Sequence, residues 1–93
     1  MLTMAVPPTN YWAQWYDVET LKNYVDWFNV MTYNFFWSTV PYAVHNAPLY
    51  SPTQSQFDYG CMDGAFWYYH TTRGVPREQI IMGIPFFAYR CNA

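Results

Sequence analysis

The chain predicts an α/β fold on a parallel sheet, and three observations carry that expectation. Three apolar runs of strand length recur along it, Leu2–Val6, Trp27–Tyr33 and Ile80–Phe87. Each gap between them holds a segment with helix signals. The resulting order, β-loop-α-β-loop-α-β, is the alternation that gives parallel strands joined by right-handed crossovers.

The elements follow in order. Leu2–Val6 is short and apolar, and Pro7-Pro8 ends it. Asp17 has the character of an N-cap, and Glu19 in the first turn favours the helix dipole. Val18, Leu21 and Val25 recur at helical spacing, which predicts an amphipathic helix over about 18–26. Trp27–Tyr33 is almost continuously apolar, the pattern of a strand covered on both faces. Residues 35–60 are rich in Pro, Ser, Thr, Asn and Gln and predict a long loop, a kind that usually carries function. A second helix is expected over Met62–Thr72, stopped by Gly74 as C-cap with Pro76 beyond. Gly83 and Pro85 interrupt the third apolar run. Trp27 and Trp67 fall in regular elements and are expected in the core.

Three strands and two helices leave both sheet edges open. An eight-fold β/α barrel needs about 250 residues, so a chain of 93 residues would supply roughly three of its eight strands. Composition agrees. The chain is 53% hydrophobic and 24% aromatic but only 11% charged, too little charge to cover a free-standing small domain. Many aromatics are therefore expected to face the rest of a barrel or a ligand groove.

Composition also excludes classes of function. Net charge is −2, the sequence pI is about 5.4, and Lys22, Arg73, Arg77 and Arg90 are scattered. Nucleic-acid binding by counterion release needs clustered cations. Residues 27–57 carry no Asp, Glu, Lys or Arg, but Pro41, Pro48, Pro52 and several amides and hydroxyls make a poor membrane helix. The N-terminus has neither the basic region nor the apolar length of a signal peptide. Cys61 and Cys91 form no C-x-x-C or zinc pattern with His45 and His70. Structural thiols are the simple reading, and a disulfide needs geometry to judge. No cofactor or metal is implied.

Four segments carry a resemblance to one family. They are LTMAVP at 2–7, YVDWFNVMTYN at 24–34, HNAPLY at 45–50 and GVPREQIIMGIPF at 74–86. In this order they resemble the fifth strand, the sixth strand (usually Y-V-D-x-x-N-V-M-T-Y-D), the loop after it, and the approach to the seventh strand of glycoside hydrolase family 18, the chitinases and chitinase-like lectins. The resemblance implies a partial (β/α)8 TIM barrel, strands 5 to 7 with two intervening helices, with residues 1–93 as one piece of the catalytic domain. It implies a secreted hydrolase of β-1,4-linked N-acetylglucosamine, with chitin or chito-oligosaccharide and the remainder of the barrel as its partners.

The family reaction is substrate-assisted: a glutamic acid protonates the glycosidic oxygen while the sugar's acetamide attacks the anomeric carbon, outside the usual two-carboxylate scheme. By resemblance, Tyr33 positions that acetamide as the catalytic residue of this stretch. Met31 packs beneath the sugar, Ala5 lines the pocket floor, and Asn34 replaces the usual Asp, keeping hydrogen bonds and losing charge. Trp37 stands where the family has Gly, and as a loop aromatic it suits stacking on a sugar face or packing against the rest of the barrel. Phe87 and Tyr89 replace a Tyr and an Arg at the seventh strand. Without the resemblance, Tyr33 would read as rim packing, Met31 as core filler and Asn34 as a turn residue.

None of Asp17, Glu19, Asp26, Asp58, Asp63 and Glu78 has the buried or like-charged setting that makes a general acid. The family's acid belongs to the fourth strand, which would precede Met1. The 93 residues alone are therefore expected to be inactive. Two alternatives from other classes stand beside the hydrolase: a chitin-binding lectin that does not cleave, and a self-standing aromatic-rich interaction domain.

Overall fold

The computed structural model describes residues 1–35, 46–50 and 61–88. Three parallel strands, β1 (Thr3–Val6), β2 (Trp27–Val30) and β3 (Ile80–Met82), form a sheet in the order β1-β2-β3. The register sets Val6 opposite Val30 and Val30 opposite Met82, so the strands finish at one level. Asp26 fixes the other end: its N–H donates to the Leu2 carbonyl at 2.7 Å and its carboxylate accepts the Leu2 N–H at 2.7 Å.

The crossover from β1 to β2 contains two single turns of helix, α1 (Asn10–Ala13) and α2 (Val18–Leu21). Asp17 caps α2 as expected, its side chain accepting the Thr20 N–H. The helix predicted to run to residue 26 stops at Leu21. Gln79 Nε2 donates to the carbonyls of Lys22 and Val25, at 2.9 and 3.0 Å, so those groups need no further helical turn. α1 was not foreseen.

Between β2 and β3 lies α3 (Met62–Trp67), which continues into a π-helical turn over Tyr68–Thr72. The helical span matches the expectation. The wider second half does not, because local pattern carries no signal for it. Cys61 caps α3 through its sulfur, which accepts the Gly64 N–H at 3.3 Å. Gly74 ends the helix at φ 71°, the left-handed conformation a C-cap glycine supplies. A short 3-10 turn, Arg77–Gln79, leads into β3.

The core lies between one face of the sheet and these helices. Val6, Phe28 and Val30 meet Ala13, Val18, Ala65, Tyr69 and Val75 there. Adjacent tyrosines in the π turn both point inward, ring against ring at 5.1 Å. The Tyr69 hydroxyl donates to the Pro7 carbonyl, and the Tyr68 hydroxyl to Asn10 Oδ1 at 2.9 Å. Burial pushes the Tyr69 phenol's pKa up, so it remains a neutral donor.

Arg73 closes the layer. Its Nε and Nη2 hold both Glu19 oxygens at 2.6 and 3.0 Å. Nη1 reaches the Ala13 carbonyl at 3.0 Å and the Tyr68 hydroxyl at 2.7 Å, and Nη2 also reaches the Tyr16 carbonyl. All five guanidinium donors are thereby engaged. The side chain is only 11% exposed.

Several expectations need correction. Trp67 is not core: it is 48% exposed, on the outward side of the last α turn. The run through β2 is covered on one face among the described residues, not two, because the helices lie on one side of the sheet. Trp27, also expected in the core, is half-buried on the open side, where its Nε1 donates to Asn29 Oδ1 at 3.0 Å. Ile80–Phe87 yields only three residues of strand, which end at Met82 just before Gly83. Trp37, most of the expected loop, Asp58, Tyr89 and Cys91 fall in 36–45, 51–60 and 89–93, outside the described residues.

Arg73→Ala is expected to lower stability by about 1–2 kcal/mol, chiefly because the Ala13 carbonyl and Tyr68 hydroxyl lose their donor; urea denaturation of the protein measures it. The Arg73 hydrogen bonds hold the Glu19 carboxyl down to about 2, from 4.5. A depressed carboxylate contributes stability above its unfolded value and loses it as pH falls through the folded one. The contribution is therefore complete above about pH 5 and disappears between about pH 4.5 and 2. Glu19→Gln should flatten that part of the thermal-midpoint profile. Because Glu19 is half exposed, the effect is small and shrinks in high salt.

Candidate functional site

The candidate site is the edge where the three strands end together. Pro7-Pro8 leaves β1 there, Met31–Asn34 leaves β2, and Gly83–Phe87 leaves β3. In parallel α/β proteins this carboxyl edge is where ligands bind, because the segments leaving each strand converge on one rim.

Strand pleat decides which side chains face the open side. Phe28, Val30 and Thr32 are buried, while Asn29, Met31 and Tyr33 are half-buried, so the two-residue alternation continues past the end of β2. Met31 N–H donates to the Val6 carbonyl at 2.9 Å, extending the ladder by one bond. The chain then tightens: Thr32 N–H reaches the Val30 carbonyl at 2.9 Å and Tyr33 N–H the Met31 carbonyl at 2.8 Å. Asn34 turns at φ 56°, a left-handed conformation that Asn tolerates better than most residues. Asn46 fixes that turn. Its side-chain oxygen accepts the Asn34 N–H and its carbonyl accepts the Phe35 N–H, both at 3.1 Å. Its Nδ2 is buried without a hydrogen-bond partner among the described residues.

Tyr33 is held from the third strand. Gly83 N–H donates to the Val30 carbonyl at 2.8 Å, and the Gly83 carbonyl accepts the Thr32 hydroxyl at 2.6 Å. A Cβ on Gly83 would lie 3.0 Å from Tyr33 Cε1 and 2.9 Å from the Val30 oxygen. The phenol edge therefore occupies the space a side chain would fill. Phe87 meets the same ring edge-on, with centroids 6.0 Å apart at 79°.

The structure thus brings Met31, Tyr33 and Asn34 to one rim. Ala5 is exposed one strand away, paired in register with Asn29. Trp37 lies outside the described residues. Thr32, Gly83 and Asn46 had no site role in the sequence reading. For Thr32 and Gly83 the only signal was a short polar or bare residue inside an apolar run, and for Asn46 its place in the HNAPLY segment.

A phenol, a thioether and an amide make a neutral rim, suited to orienting a polar uncharged ligand. It offers no acid. Asp17, Glu19 and Asp26 lie on the first crossover, and Asp63 and Glu78 on the second. Glu19, held near 2, is the reverse of a proton donor at neutral pH. Among the described residues no group of His, Cys, Asp and Glu could hold a metal ion, and no helix is long and apolar enough to cross a membrane.

The sequence profile of "Glycosyl hydrolases family 18" matches residues 1–93. The chain belongs to this family. A curated relative, "Probable chitinase 10" of Drosophila melanogaster, is 34% identical over 88 residues, covering 94% of this chain and 4% of that protein. Among solved structures, the family 18 chain is similar to chitinase ChiA74 from Bacillus thuringiensis (31% identity, TM-score 0.82), covering 92% of this chain and 14% of that one. It is also similar to the Ostrinia furnacalis Group IV chitinase in complex with allosamidin (34% identity, TM-score 0.80), covering 92% and 24%. These neighbours are TIM-barrel chitinases, and the family 18 chain spans under a quarter of each. Its described residues form a small α/β piece with a three-stranded parallel sheet.

The Asn34 turn is open to test. Asn34→Gly should leave stability within about 0.5 kcal/mol of the natural protein, whereas Asn34→Val should cost about 1–2 kcal/mol for its left-handed backbone. Chemical denaturation of both variants measures the difference.

Proposed function

We propose that this family 18 chain supplies roughly the fifth to seventh strands of a barrel whose whole protein hydrolyses β-1,4-linked N-acetylglucosamine in chitin or chito-oligosaccharides. The observation that carries the reading is Tyr33 at the carboxyl edge, beside Asn34 and above Met31, with its ring seated on Gly83. Tyr33 donates its phenolic hydrogen to the carbonyl of the substrate acetamide. That bond keeps the acetamide in line with the anomeric carbon and stabilises it as charge develops on its nitrogen. Met31 packs beneath the sugar, Ala5 lines the floor, Asn34 hydrogen-bonds its polar groups, and Trp37 stacks on a pyranose face. The Group IV chitinase neighbour binds allosamidin, which supports a carbohydrate ligand at this edge.

The general acid comes from the part of the barrel outside these 93 residues, so the chain alone is inactive. Large exposed apolar side chains support the missing neighbour: Phe86 is 99% exposed and Ile84 70%. They are on the segment leaving β3, where further barrel would cover them. The working site is extracellular, as expected for an enzyme whose substrate is a structural polysaccharide.

A second reading, a lectin that binds chitin without cleaving it, draws on Asn34 and Phe87. Asn34 lacks the charge, and Phe87 the hydroxyl, that the family pattern has at its position. The whole protein decides between the two. Measured hydrolysis of chito-oligosaccharides, falling about 100-fold in kcat for Tyr33→Phe, supports the enzyme. Tight oligosaccharide binding with no hydrolysis, weakened by the same substitution, supports the lectin. Hydrolysis that ignores Tyr33→Phe sinks the proposed role of Tyr33.

A further inference from the structure

We propose that Thr32 and Gly83 are positioning residues that set the direction of the Tyr33 phenol through a clamp between β2 and β3. The proposal rests on the reading of Tyr33 given above and assigns it a mechanism of support. Three contacts compose the clamp. Gly83 N–H is tied to the Val30 carbonyl at 2.8 Å. Its carbonyl is tied to the Thr32 hydroxyl at 2.6 Å. Its bare Cα leaves the space into which the Cδ1–Cε1 edge of Tyr33 fits.

The arrangement is unusually constrained for a strand end. Thr32 is the one residue among the buried described set that is polar, at 0% exposure. A buried hydroxyl is costly unless bonded, and its partner is 51 residues away in sequence. Both neighbours in the chain, Met31 and Tyr33, point to the open side, so Thr32 is the anchor between them. The anchor fixes where β3 passes, and the passage of β3 fixes how near its backbone comes to the phenol. Phe87, four residues beyond Gly83, then closes on the ring edge-on. A glycine is required here for space: its φ lies outside the left-handed range, so a side chain meets a clash with Tyr33 and the Val30 oxygen, with no backbone strain of its own.

Orientation is worth testing because small displacements in a positioned group cost large factors in rate. Gly83→Ala in the whole protein should lower kcat on chito-oligosaccharide by about 10- to 100-fold. Partial loss of fold would do the same, so a cycle with Tyr33→Phe separates the two. If Gly83 acts through the phenol hydroxyl, adding Gly83→Ala to Tyr33→Phe should change kcat by less than about threefold. An undiminished effect in that background overturns the clamp and leaves the role of Tyr33 standing. Tyr33→Phe without effect overturns both.

Thr32 gives a second route should Gly83→Ala fail to fold. Thr32→Val keeps the shape and loses the donor, and should lower kcat; Thr32→Ser keeps the donor and should restore it to within about threefold. A serine variant as slow as the valine variant would remove the hydroxyl from the account.

Discussion

Arg73 is the constraint on which the rest of this structure depends. The crossover from β1 to β2 has little regular structure of its own, two single turns of helix separated by a bend. Isolated single turns do not hold in water, because nucleation is unfavourable. Arg73 replaces the missing helical bonds from outside. It takes the carbonyls of Ala13 and Tyr16, both oxygens of Glu19, and the Tyr68 hydroxyl. A guanidinium suits the task because its donors form a rigid planar fork, and a lysine could not reach this set together. With the crossover pinned to the second helix, Ala13 and Val18 can bury against the sheet, and β1 and β2 can lie parallel in register.

That register is what delivers the site. Val6, Val30 and Met82 end at one level, so three outgoing segments meet at one rim. The buried side of the alternation is spent on packing: Phe28, Val30, and then Thr32 as a polar anchor. The open side carries Asn29, Met31 and Tyr33. The same anchor that ends the core therefore begins the site, and the phenol is presented by a backbone tied down on both sides, by Asn46 at the turn and by Gly83 across the sheet.

Much of this was legible in the sequence. The strand-helix alternation, the Asp17 cap, the Gly74 stop and the span of the second helix each follow from local chemistry, and each is present. The parallel sheet followed from their order. The misses share a cause, since they depend on partners distant in sequence. The first predicted helix stops at Leu21, and the carbonyls of Lys22 and Val25 beyond it are taken by Gln79. The second widens into a π turn where two tyrosines reach back to Pro7 and Asn10. Trp67 faces outward because the inward positions belong to its neighbours. Within the candidate site, the apolar run ending in Tyr33-Asn34 and its family resemblance pointed to the carboxyl edge of β2, where both residues lie. Gly83 read as a strand breaker, and the space it leaves for Tyr33 can be seen only when β2 and β3 lie side by side.

The central claim is that this clamped phenol faces the acetamide of a bound sugar. A crystal structure of the whole protein with an N-acetylglucosamine oligosaccharide tests it most directly. The account expects Tyr33 Oη within hydrogen-bond distance of an acetamide carbonyl oxygen, about 2.6–3.0 Å, with the ring edge still resting on Gly83. An oligosaccharide bound elsewhere, or at this rim with its acetamide turned away from Tyr33, would contradict it.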